Sequence, residues 1–146
     1  MNTAQQLLCP AAELRRDASI IGIIPPDGKV SFFGKPVPAV GEFRQEAVRR
    51  GHAERNFRFA APCLGAQCSK WKQGRCSLVG ALVHASASNH EILAQGEPHC
   101  GMRERCYWQN TGGAKACQAC RYVSSDARLP KTVRFSAPPS RREQAA

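Results

Sequence analysis

The chain carries seven cysteines between Cys63 and Cys120, spaced C-x4-C-x7-C at Cys63, Cys68 and Cys76 and C-x5-C-x10-C-x2-C at Cys100, Cys106, Cys117 and Cys120. An eighth, Cys9, stands far upstream. Thiols at this density, in a chain whose first residues show no basic start followed by an apolar run of signal-peptide length, point to metal rather than to disulfides. Thiolates are soft, strongly donating ligands that suit zinc or an iron–sulfur cluster. A disulfide framework is the minor alternative for an even number of cysteines.

The last four thiols make a complete tetrathiolate set. The short Cys117/Cys120 pair lets two sulfurs approach one centre from a tight turn, and the longer gaps let Cys100 and Cys106 wrap around it. Cys63, Cys68 and Cys76 make three quarters of a second set, for which Cys9, His84 and His99 are candidate extra ligands. The only tryptophans, Trp71 and Trp108, each follow the second thiol of a set. This gives the two halves of the region a loose resemblance to each other, short of a repeat.

The spacing bears on the metal. Structural zinc sites are commonly built from two short pairs, whereas gaps of seven, five and ten residues suit a bulkier cluster under apolar and aromatic cover from Trp71, Tyr107, Trp108 and Tyr122. One or two iron–sulfur clusters of the 4Fe-4S kind are therefore expected, with zinc as the alternative.

At 146 residues the chain has room for one modest core. Its hydrophobic content of 42% includes the cysteines, so metal cross-links are expected to contribute to stability. The net charge of +10 fits three partners: an acidic protein, nucleic acid, or the metal–thiolate centres themselves. Two centres of about −2 each would remove part of the excess. For nucleic acid, the candidate phosphate contacts near the thiols are Lys70, Lys72, Arg75, Arg103, Arg105 and Arg121. No segment approaches the run of ~18 apolar residues that spans a bilayer, so no membrane partner and a cytoplasmic location are expected.

The expected fold is α+β: a small N-terminal hairpin and helix unit, residues 1–56, packed on a helical and loop-rich, cysteine-rich metal-binding half, residues 57–123, with a polar and flexible tail over 124–146. Within the first unit, the spacing of Leu7, Leu8, Ala11 and Leu14 predicts a helix over Thr3–Arg16, on which Cys9 would be a small buried hydrophobe or a distant ligand. Ile20–Ile24 and Val30–Phe33 predict a hairpin whose Asp27-Gly28 supplies a positive φ. Pro36 and Pro38 predict an edge, and Glu42–Arg50 a helix with Phe43, Ala47 and Val48 inward. Phe57-Arg58-Phe59 reads as a strand with its rings inward, or as base-stacking aromatics between phosphate-binding arginines.

In the second half, Ser77–Ala85 predicts a helix. Ser88 and Glu91 form a capping box for another, and Gly112-Gly113 a loop returning Cys117 and Cys120 to Cys106. No nucleophile elbow, phosphate loop or H-E-x-x-H is present, so the chain is expected not to be an enzyme by itself. The expected role is an accessory or electron-transfer partner of a larger enzyme; the alternative is a zinc-stabilised basic module that binds nucleic acid.

Overall fold

The computed structural model describes residues 6–124 and 134–135. The architecture is α+β. Strands β1 (Leu8–Ala12), β2 (Ser19–Ile23), β3 (Ser31–Pro38) and β4 (Phe57–Pro62) form one antiparallel sheet in the order β1-β4-β2-β3. Helix α1 (Gly41–Arg50) lies between β3 and β4 in sequence. A small hairpin, β5 (Trp71–Lys72) with β6 (Arg75–Cys76), leads into α2 (Ser77–Ala87), α3 (His90–Gln95) and α4 (Tyr107–Cys120). Val123–Ser124 (β7) then pairs with Arg134–Phe135 (β8). Apart from that pair, the tail expected to be flexible falls outside the described residues.

Two cores lie on opposite faces of the sheet, because successive side chains of a strand point opposite ways. On one face Ile20, Ala39, Ala53, Phe59 and Ala61 are buried with Phe43, Ala47 and Phe57. The rings of Phe43 and Phe57 meet edge-on at 5.1 Å, the preferred arrangement of their quadrupoles. On the other face Leu8, Ile21, Ala60, Val79, Leu82, Ile92 and Trp108 are buried together with Cys106 and Cys120. Each large apolar side chain taken out of water there contributes about 1.5–3 kcal/mol. Val48, expected to point inward, is 60% exposed.

The predicted β2–β3 hairpin is present, with Gly28 at φ +82° in its turn and the Lys29 amide donating to Asp27 Oδ1 at 2.9 Å. Pro36 and Pro38 lie on β3, an edge of the sheet, where missing N–H donors face no partner strand.

Three expectations are corrected. Residues 8–12 are a strand, not part of a helix over 3–16: Leu8 pairs with Pro62 and Cys9 with Ala61 along the other edge of the sheet. Pro10 fits there because the register shifts between Cys9 and Ala12, and an irregular edge tolerates a residue with no N–H. The cap of α3 is Asn89, whose Oδ1 accepts from the amides of Glu91 and Ile92, rather than Ser88. Gly112-Gly113 is not a loop but a kink inside α4, with Gly113 at φ +71°. β4, at the start of the cysteine-rich half, is hydrogen-bonded between β1 and β2 of the same sheet.

Candidate metal centre

The segments that carry the first set of thiols meet where the sheet ends. The Cys63 amide donates to Leu7 O at 3.1 Å, which holds Cys63 beside the start of β1 and hence near Cys9. After Cys63 the chain makes a single 3₁₀ turn, Gly65–Gln67, that ends on Cys68. The Trp71 amide donates to Cys68 O at 3.0 Å, and Trp71 pairs with Cys76 across the β5–β6 hairpin. Two sulfurs accept from backbone amides two residues ahead, Cys63 from Gly65 and Cys68 from Lys70, each at 3.4 Å.

Burial pushes the Cys9 thiol up to about 11; the Ala11 amide opposes the rise, the fields of Cys63 and Cys76 add to it, and Arg58 opposes it. Of the three extra-ligand candidates, the structure thus brings Cys9 to this set. His84 and His99 are both exposed.

The second set is deeper. Cys106 caps α4, and Cys117 and Cys120 follow one turn apart near its other end, on one face of the helix. Cys106, Cys117 and Cys120 are buried, and Cys100 is partly buried. Burial is the main cause of raised thiol pKa values throughout: Cys106 reaches about 12 and Cys117 about 11, and Cys100 is raised as well. The field of Cys120 adds to the rise at all three, which makes its sulfur the common neighbour of the set. Arg103 lowers Cys117 through its charge and a side-chain hydrogen bond, and also donates to Pro98 O.

Arg58 was not anticipated as part of the site. It alternates with Phe57 and Phe59 along β4, so it faces the thiol side of the sheet while they face the other. Its exposure is 0%. Its Nε donates to Pro10 O at 2.9 Å, its Nη1 to Cys120 O at 2.8 Å and Val123 O at 3.0 Å, and its Nη2 to Cys120 Sγ at 3.0 Å. The guanidinium carbon lies 5.6 Å from the ring centre of Phe32 and 6.0 Å from that of Trp108. Among the described residues no carboxylate forms an ion pair with it. The period-two alternation was the signal that could have placed it inside.

The cations proposed as phosphate contacts divide. Lys72, Arg75 and Arg105 are exposed and Lys70 is partly buried. Arg103 is turned toward Pro98 O and Cys117, and Arg121 donates to Gly96 O at 3.5 Å. Among the described residues, no three or more His, Cys, Asp or Glu side chains are gathered so as to hold a metal ion. No described helix is long and apolar enough to cross a membrane. Comparison of the chain with protein-family models, curated proteins and solved structures finds no match.

Proposed function

We propose that the chain is an iron–sulfur protein that passes electrons to or from a larger partner, its second set of thiols, Cys100, Cys106, Cys117 and Cys120, holding a cluster. The observation that carries this reading is Arg58. A guanidinium sealed from water costs several kcal/mol unless a negative group balances it, and the group in reach is the sulfur of Cys120. A neutral thiol offers little balance. No carboxylate among the described residues forms an ion pair with the guanidinium. A metal takes the place of the protons and makes the sulfurs anionic at neutral pH.

Iron–sulfur is favoured over zinc by the spacing of the thiols along the chain: gaps of five and ten residues suit ligands that bind separate irons of a cluster better than the two short pairs of a structural zinc site. Trp108, 1% exposed, excludes water from this region, and such cover governs the potential of a cluster. Exposed Lys72 and Arg75, on the hairpin that bears Cys76, fit an acidic protein partner.

The test is iron, sulfide and zinc analysis on anaerobically purified protein, with its visible spectrum. A brown protein with stoichiometric iron and acid-labile sulfide is the expected result. Colourless protein with stoichiometric zinc and steeply salt-dependent binding to DNA or RNA would replace this reading with the nucleic-acid one.

A further inference from the structure

We infer that the chain holds a second cluster on Cys9, Cys63, Cys68 and Cys76, set back to back with the first so that one electron passes between them. The inference rests on the iron–sulfur reading above and adds a fourth ligand, a second centre and a route.

The fourth ligand follows from the strand that replaced the expected helix. β1 brings Cys9 opposite Ala61, two residues before Cys63. The hydrogen bond from the Cys63 amide to Leu7 O closes that end of the ladder. Cys68 and Cys76 are tied to the same lobe through Trp71, which bonds to one and pairs with the other. Three separate segments carrying the four cysteines are therefore tied together at one end of the sheet.

The route comes from two juxtapositions. Leu8, next to Cys9, forms a parallel bridge with Cys106. Partners across a ladder lie about 5 Å apart and successive Cα atoms 3.8 Å, which puts the Cα atoms of Cys9 and Cys106 within about 9 Å of each other. On the other side of Cys106 stands Tyr107, whose ring centre is 6.0 Å from that of Trp71. Consecutive residues at the start of α4 thus link the two sets, Cys106 as a member of one and Tyr107 through the ring of Trp71, which pairs with Cys76 of the other.

The first set is the more accessible, all four of its thiols being partly buried, while three of the second are fully buried. If loaded, Cys9, Cys63, Cys68 and Cys76 would hold the centre that takes one electron from a low-potential donor protein, and Cys100, Cys106, Cys117 and Cys120 the centre that would receive it and yield it to a one-electron acceptor, with no bond made or broken and no proton moved.

The experiment uses the full chain, purified or reconstituted without oxygen, analysed for iron and sulfide and titrated with dithionite while electron paramagnetic resonance is recorded. About eight irons and eight sulfides per chain are expected. At low reduction a simple spectrum of an isolated half-integer spin should appear, broadening into a coupled spectrum as the second electron enters. The variant C63S/C76S should retain about four irons and show only the simple spectrum at full reduction; should it fail to fold, the wild-type titration decides alone. About four irons in the wild type, or about eight with two spectra that add without broadening, would overturn the inference and leave the electron-transfer reading standing. Absence of sulfide would overturn both.

Discussion

The Nη2 of Arg58 lies 3.0 Å from the sulfur of Cys120, and the same guanidinium also bonds the Cys120 carbonyl. One residue of α4 is thereby held at both its backbone and its side chain by a cation from the middle of the sheet. Through its charge Arg58 also lowers the pKa of Cys9 and of Cys100, one thiol from each set.

Replacing Arg58 should therefore act on stability and on redox behaviour together. R58M strands three carbonyls and a sulfur without their donor and is expected to destabilise by on the order of 3–5 kcal/mol. Loss of the positive charge should also shift the cluster potential in the negative direction by about 60 mV or more, equivalent to about 1.4 kcal/mol in a one-electron couple. R58K keeps the charge but not the planar fork, so it should restore more of the potential than of the stability. Thermal melts and potentiometry on the three proteins check this.

Cys9 should behave differently from the two histidines. C9S is expected to lower bound iron by about half, while H84A and H99A leave it unchanged. Metal analysis of the three variants, purified identically, distinguishes the candidates; equal iron in C9S and the wild type would remove Cys9 from the ligand set.

The approach of α2 to α4 depends on Gly112. A Cβ there would meet Val79 Cγ1 at 2.6 Å and the Cβ of Ala116 at 2.8 Å. G112A should cost on the order of 1–3 kcal/mol as overpacking, read as a lower denaturant midpoint with an unchanged slope.

For the metal-free protein, the raised thiols set a pH dependence. Cys9 and Cys117 at about 11 and Cys106 at about 12 all lie above the ordinary value of 9.0, so the folded state holds these protons more tightly than the unfolded chain. Their contribution is complete below that ordinary value and is lost as pH rises toward 11 to 12. The melting temperature should fall over that window, and the fall should be shallower in C9S/C106S/C117S. The metal-loaded protein, with no thiol protons to lose, should lack this component.

At the surface, K72E/R75E should slow reduction by an acidic one-electron donor and flatten the dependence of that rate on ionic strength. Stopped-flow measurements at several salt concentrations check it, and rates equal to the wild type would place the docking surface elsewhere.

Where the pattern in the sequence was local, it was legible. The β2–β3 hairpin, the prolines on its outer edge, the helix ending at Gly51 and the apolar helix after Cys76 each follow from periodicity or from a turn residue. Residues 8–12 misled because Leu7, Leu8, Ala11 and Leu14 suit one face of a helix, and only the pairing with β4 decides for a strand. Gly112-Gly113 looked like a loop because two glycines weaken a helix; packing against Val79 holds the helix together around the kink. The cysteines announced themselves by type, but their grouping depends on strand pairing. Arg58 stayed hidden because an arginine among phenylalanines looks like a charged outer face until both faces of the strand are known to be covered.

The bonds of Arg58 reach 48, 62 and 65 positions along the chain. A nascent polypeptide released only as far as β4 would offer this cation none of its acceptors beyond Pro10, so the sheet cannot close its inner face until synthesis has passed Val123. Any cofactor on the inner set would then be loaded only once α4 and Val123 have joined the sheet.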